Sequence, residues 1–283
     1  MRSYDMGLLN KFKKDNERGE WFIDPLKYIM ANRKPVWIFT TLLFVNILFF
    51  LLLIISLFLY TNSDLSLFLT AIVLFSSGVI SFLCILVSQG YVIKVIRAAS
   101  SEETELPQFE LFSTWATLIS DGFSATLISL IYTIVPLLLA GILFFSSFPL
   151  SKLLSIVSEA EMTGIKETGA SMEFLTHAFL AFFLISLLLS IFSYYVVPAP
   201  ILVYANEGQF KLAFSWKKIS NLIFNYVYFI RSLQVLAVLI LTTVIIAIVG
   251  AIPVFGVILS MIIGVISLLM IWHMWGKIYN SIN

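Results

Sequence analysis

The sequence predicts an all-α fold, a polytopic membrane helix bundle with six transmembrane helices plus short interfacial amphipathic helices. Three observations carry that prediction. First, residues 36–60, 65–92, 122–148, 174–197, 232–251 and 254–275 are long apolar stretches, each reaching the roughly 20 residues that cross a hydrocarbon core. Second, 60% of the chain is hydrophobic and only 12% charged, with a mean hydropathy of +1.01; an ordinary soluble domain carries about 25% charge. Third, fifteen of the seventeen Lys and Arg residues fall on alternate connections and the two termini, and only Lys152 and Lys166 fall on the others. In lipid an isolated segment must be helical, because only a helix satisfies its own backbone N–H and C=O groups without water. The charge asymmetry predicts that both termini are cytoplasmic.

Residues 1–20 alternate charges with Gly and Asn and read as a mobile cytoplasmic tail. Residues 21–283 then form a single membrane domain. The tail is polar, and the first apolar run is too long for a cleavable signal, so the first span reads as a permanent signal-anchor. Asp24 caps a short surface helix with Pro25 at its first position, and Trp21 and Trp37 are its interfacial anchors.

The second span ends in Gly90-Tyr91 and then Lys94 and Arg97, two cations on one helix face that snorkel toward headgroups. The acidic link 101–105 reads as a solvated loop. A second surface helix carries Phe112, Trp115, Ala116 and Ile119 at helical spacing, and Asp121-Gly122 marks entry into the third span. Residues 149–173 form the one long connection on the outer side. They open with Leu150, Leu153, Leu154 and Val157 at i, i+3, i+4 and i+7, as a surface decoration or a lid. Asn62-Ser63-Asp64 and Gly250 with Pro253 make the two tight outer turns.

Residues 108–115 and 209–216 share Gln, Phe, Leu and Trp at an offset of 101. Each octet leads from an inward-running span to an outward-running one. The match predicts a parallel internal repeat of spans two and three onto spans four and five.

The Asp24-Pro25-Leu26-Lys27-Tyr28 lead-in with Trp37, Gly90-Tyr91 with Lys94 and Arg97, Glu105-Leu106-Pro107 and Asp121-Gly122 form one set of motifs. Pro200 through Tyr204-Ala205-Asn206-Glu207-Gly208, then Phe214, Lys217-Lys218 and the closing Trp275-Gly276-Lys277-Ile278-Tyr279, form another. In this order they resemble an uncharacterised family of archaeal and bacterial multi-pass membrane proteins, domain-of-unknown-function family 4013. The resemblance covers roughly residues 20–280. It implies a prokaryotic, archaeal cell-membrane protein and brings neither an activity nor catalytic residues. The long charged tail and the sizeable outer loop depart from the family pattern.

For chemistry the sequence offers little. Net charge is +1, which gives no field favouring nucleic acid. Cys84, the only cysteine, reads as a small core residue. Glu173 and His177 have the i, i+4 spacing of a metal pair but no third ligand in reach. His177 and His273 therefore read as solvated or interfacial, and no metal or cofactor is expected. Phosphate loops and hydrolase or metalloprotease motifs are absent, so an enzyme is not expected.

Asp121 and Arg231 come closest to mid-span and still read as boundary residues, which disfavours a carboxylate relay. Milder polarity remains. Thr126, Ser129 and Thr133 share one face of the third span, and Ser186, Ser190 and Ser193 share one face of the fourth. Both are either packing faces or the walls of a weakly polar groove. Pro136 kinks the third span. Pro198-Ala199-Pro200 ends the fourth or breaks it a turn early.

Two functions from different classes follow. One is a membrane scaffold or accessory subunit that binds partner proteins or lipids through its basic inner face, with Lys94, Arg97, Lys217 and Lys218 as headgroup contacts. The other is a permease or lipid-handling protein with a weakly polar groove along spans two to four. Nothing in the sequence sets the oligomeric state.

Overall fold

The computed structural model describes residues 20–31, 33–62, 67–103, 105–109, 114–147, 168–253 and 255–282. The tail, the turn at Ser63 and Asp64, most of the outer connection 149–173 and residues 110–113 of the first octet lie outside the described residues. The helices are α1 (Glu20–Ala31), α2 (Lys34–Asn62), α3 (Leu67–Ser100), α4 (Trp115–Ser147), α5 (Thr168–Val196), α6 (Pro198–Glu207), α7 (Trp216–Ile223), α8 (Tyr226–Gly250) and α9 (Phe255–Ile282), with a 3-10 turn at Phe210–Phe214 before α7. Six helical stretches are long and apolar enough to cross a membrane, and no strand occurs among the described residues. The all-α, six-span expectation stands.

Several boundaries differ from the sequence reading: α1 starts at Glu20 with Pro25 inside it, so Asp24 is not its cap, α8 starts at Tyr226 and α9 runs to Ile282, and the second, third and fourth spans differ as follows. The second span does not stop at Val92: α3 runs on to Ser100. Trp115, Ala116 and Ile119 do not form a surface helix separate from the third span: α4 is continuous from Trp115 through Asp121-Gly122. Gly90 and Gly122 read in sequence as boundaries, and both sit inside helices where the missing Cβ is needed for packing. The fourth span is interrupted only at Val197, whose N–H still bonds Ser193 O at 3.0 Å. Helix resumes at once, because Pro198 and Pro200 lie in the first turn of α6, where amide hydrogens have no intrahelical partner. The apolar stretch therefore extends to Glu207.

The chain divides into two compact units, Met1–Thr126 with Ile201–Asn283, and Leu127–Pro200. In the first unit burial follows one gradient along every long helix. Val36 and Phe39 of α2, Tyr91, Ile93 and Ile96 of α3, Tyr228 and Val235 of α8, and Leu269 and Trp275 of α9 are buried, all toward the ends that carry Lys and Arg. Large apolar side chains in the far halves of the same helices lie open: Phe58, Phe75, Ile248 and Phe255 are exposed, Phe75 by 76%, while the residues buried there include the small Ser56, Thr70 and Ser77. Such wide apolar exposure has no place in water and suits lipid. The core of this unit thus sits at its basic end.

Connections there are closed by local hydrogen bonds. At the end of α3, Glu103 N–H reaches Ala98 O at 3.0 Å and Glu102 N–H reaches Ala99 O at 3.4 Å. Glu102 takes a left-handed φ of 59°, the Schellman arrangement with a residue other than Gly. α6 ends on Gly208 with φ of 69°, its N–H on Tyr204 O at 2.9 Å. Asn225 caps α8, its Oδ1 accepting from Val227 N–H at 2.8 Å.

In the second unit, Pro136 lies inside α4. Thr133 and Ser190 are exposed, while Ser186 and Ser193 are half-buried. The Ser190 hydroxyl donates to Ser186 O of its own helix at 2.8 Å. The two matched octets start unlike helices: Trp115 opens the 33-residue α4 and Trp216 the 8-residue α7. A shared repeat therefore rests on the sequence match alone.

Candidate functional site

Two glycines set the geometry of the basic end. A Cβ on Gly90 would stand 1.9 Å from Leu118 O, and one on Gly122 would stand 1.8 Å from Leu86 O. The backbones of α3 and α4 are therefore in direct contact, the use of small residues typical of helices in membranes. On another side of α3, a Cβ on Gly276 of α9 would meet Ala99 Cβ and Ile96 O, both at 2.7 Å, and Ser100 Oγ donates to Gly276 O at 3.1 Å. The last four turns of α3 are thus held between α4 and α9.

This close approach brings Arg97 onto Asp121. Arg97 Nη1 donates to Asp121 Oδ2 at 2.7 Å and Nη2 to Oδ1 at 3.2 Å, a fork-on-carboxylate pair. Arg97 Nε donates to Ala205 O at 2.7 Å. That carbonyl belongs to the last turn of α6, where intrahelical donors have run out and the helix dipole is negative. Tyr204 completes the set, its hydroxyl donating to Asp121 Oδ1 at 2.9 Å. One guanidinium therefore ties α3, α4 and α6 together. The Asp121 side chain is 15% exposed and that of Arg97 38%, so the pair is shielded on the carboxylate side and open on the other.

The predicted headgroup contacts are altered by this arrangement. Arg97 is held by Asp121 and Ala205, and Lys218 pairs with Glu207. Both cations therefore serve packing at the ends of α3 and α6. Lys94 is half-buried and Lys217 exposed, and neither has a side-chain partner among the described residues. Around Lys217 lies an aromatic rim: Phe210, Phe214, Trp216, Phe224 and Tyr226 are exposed, Trp216 by 70% and Phe224 by 79%. Lys211 is exposed in the same stretch. α7 presents Ile219 and Leu222 inward and its lysines outward, the pattern of an interfacial helix.

His273 corrects the sequence reading outright. It was expected to be solvated or interfacial; it is 1% exposed and stacked on Tyr28, ring centroids 3.9 Å apart and planes inclined by 28°. α1 buries Pro25, Tyr28 and Ile29, and this stack is part of its contact with α9. Burial raises the pKa of the Tyr28 hydroxyl, and the charge of Glu103 adds to the rise. Tyr28 Oη, His273 Nδ1 and Thr126 Oγ1 are buried with no hydrogen-bond partner among the described residues.

Sequence reasoning also missed Asn46, whose Nδ2 donates to Ser81 O of α3 at 3.3 Å from mid-span. The signal is there, a lone amide in an apolar run, but weight went to charged residues and to the polar residues of spans two to four. Tyr91 was read as part of a motif without a role; its hydroxyl donates to Pro107 O at 2.8 Å and its ring packs on Phe39 and Phe109. The Glu173 and His177 side chains lie outside the described residues, and no metal-ligating cluster occurs among the described ones.

A shallow apolar groove of about 140 Å³ lies between α2 and α3, lined by Leu42, Ile80, Leu83, Cys84, Val87 and Trp115. Cys84, expected in the core, is half-buried on its wall. Of the hydroxyl residues expected to line a polar groove, Thr126, Ser129, Thr133, Ser186, Ser190 and Ser193, none lines this one.

The family model described as protein of unknown function (DUF4013) matches residues 71–272. No curated protein and no solved structure matches the chain.

Proposed function

The chain belongs to this family of unknown function, DUF4013, and from its own chemistry we propose that it is a membrane scaffold or accessory subunit. In this reading it lies in the cell membrane with both termini cytoplasmic and holds a partner protein of acidic surface at its basic face. The observation that carries the reading is the pairing of a rigid end with an exposed rim. Arg97, Asp121, Tyr204 and the glycine contacts fix the ends of α3, α4 and α6. Beside them Lys211 and Lys217, which have no side-chain partner among the described residues, are exposed in one stretch with Phe210, Trp216 and Phe224. Aromatic rings of this kind sit at headgroup level and leave the lysine ammoniums facing the aqueous phase. A rigid support lowers the ordering cost of binding.

Photo-crosslinkers at positions 211 and 217, with one at exposed Leu188 as the lipid-facing comparison, test this in cells. The expected result is one discrete protein adduct from 211 and 217, lost when both neighbouring lysines are reversed to Glu. Adducts indistinguishable from those at 188 would sink the reading.

The alternative, a permease or lipid-handling protein, draws on Thr126. Its hydroxyl is buried without a partner among the described residues, on the helix that contains Pro136. A flux or lipid-scrambling assay in vesicles separates the two: the scaffold gives no movement above protein-free vesicles.

A further inference from the structure

We propose that the open face of α1 is a docking surface for an anionic leaflet, with Ile23, Leu26 and Met30 in the edge of its hydrocarbon and Lys27 and Arg33 on its phosphates. This goes beyond the scaffold reading and uses none of its rim.

α1 has three faces. At about 100° per residue, Tyr28, Pro25 and Ile29 span one arc of about 100° and are buried; this is the face stacked on His273 of α9. Next to Ile29 comes a second apolar arc of Leu26, Met30 and Ile23, exposed by 37%, 43% and 43%. Exposed Lys27 and Ala31 and half-buried Asp24 take the arc beyond Ile23. The apolar part of the helix is therefore about twice as wide as the part the protein covers. A helix touching only protein and water has no use for the second arc, whereas one at a lipid boundary does.

Contacts fix the level of that face. Tyr28 lies on His273, two residues before Trp275, where the last apolar stretch of the sequence ends. α1 is thus held level with the end of a span. α1 closes at Ala31 and α2 opens at Lys34. In the first turn of α2, Trp37 heads an exposed stripe with Phe44, Leu48, Leu51 and Ile55 at i, i+7, i+11, i+14 and i+18. That stripe is a lipid-facing side of α2, and an indole at its head marks the headgroup boundary. Both neighbours of α1 therefore put it at the same depth.

The charges suit an anionic surface. Lys27 borders the open arc, four residues after Ile23 and three before Met30, so its stem lies along apolar side chains and its ammonium reaches outward. Arg33 is exposed, and its carbonyl accepts from Trp37 N–H at 3.2 Å, which puts the guanidinium and the indole in one helical turn. A second copy seated two-fold on this face would bring two basic edges together; an anionic leaflet neutralises them.

The test uses the full chain in vesicles of mixed phosphatidylglycerol and phosphatidylcholine, with a fluorophore on a single cysteine in a Cys84→Ser background. Leu26→Cys and Met30→Cys report the open arc and Ala31→Cys the polar one. Either lipid is brominated in turn as the quencher. The expected result is quenching at 26 and 30 but not at 31, with brominated phosphatidylglycerol at least about twofold more effective than brominated phosphatidylcholine. Lys27→Gln with Arg33→Gln removes that preference. Equal quenching at all three positions, or none at 26 and 30, overturns the docking face. A preference that survives both substitutions overturns the role of the cations. Shielding of 26 and 30 that is relieved by diluting the protein in lipid identifies a second copy and also overturns the proposal. Every substituted side chain on α1 and at Arg33 is exposed, so the variants remove no core contact. Failure here leaves the crosslinking result at 211 and 217 untouched, so the two readings are separable.

Discussion

Replacing Gly90 by Ala tests the packing at the basic end, because two effects of known sign oppose one another. In a helix interior the change should stabilise by about 0.5–1 kcal/mol through the lost backbone freedom of Gly. At Gly90 the new Cβ would stand 1.9 Å from Leu118 O, 2.6 Å from Leu118 C and 2.8 Å from Leu118 Cα. All three are backbone atoms of α4, so no side chain can swing away. Restoring ordinary contact near 3.4 Å moves the helices apart by about 1.5 Å. Overpacking of this kind costs about 1–3 kcal/mol. The same displacement stretches the 2.7 Å contact between Arg97 and Asp121, one residue from Gly122, which adds to the loss.

The net expectation is destabilisation by about 1–3 kcal/mol, or a fall in Tm of roughly 2–10 °C for a chain of this size. Gly78→Ala, on the same helix with nothing within 4 Å of its Cβ, should raise Tm slightly. The assay is thermal loss of monodispersity in detergent for the wild type and both variants. Equal behaviour of the two Ala variants would refute the close approach of α3 and α4.

Two further outcomes follow from the same geometry. Arg97→Gln should destabilise by about 2 kcal/mol, less than the roughly 3–5 kcal/mol for breaking a fully buried pair, because the guanidinium is 38% exposed. Adding Asp121→Asn should recover part of that loss, so a double-mutant cycle that is strictly additive would remove the pair from the account. At Tyr28 the folded pKa lies above the ordinary 10.0, so the neutral hydroxyl is the form that α1 docks. That docking is at full strength below pH 10 and weakens as pH rises beyond it. Tryptic cleavage after exposed Lys27 should accelerate above pH 10 relative to a peptide substrate, and Tyr28→Phe should abolish the extra acceleration.

What the sequence made legible is what one-dimensional pattern records. Six apolar runs specify six helices because hydropathy and length alone decide what lipid accepts. The basic clusters mark one end of each helix for the same reason. Tertiary pairing was not legible. Arg97 and Asp121 are 24 residues apart and Tyr204 is 83 beyond Asp121, and each reads alone as an ordinary boundary residue. Gly90 and Gly122 look like helix ends because Gly weakens an isolated helix. Their value lies in the backbone opposite, which no local window contains. His273 looked interfacial because nothing near it in sequence announces Tyr28, a partner on the first helix. The hydroxyl faces of the third and fourth spans are periodic in sequence, but periodicity does not say which face meets lipid. Thr133 and Ser190 are exposed.

The central claim, six membrane-spanning helices with their packed, basic ends in the cytoplasm, is tested most directly by single cysteines in a Cys84→Ser background. Ile252→Cys, in the short link between α8 and α9, should react with an impermeant maleimide in intact cells. Glu103→Cys, just past α3, should react only after permeabilisation. Labelling of 103 in intact cells with protection of 252 would invert the orientation, and equal labelling of both would contradict a membrane-spanning arrangement.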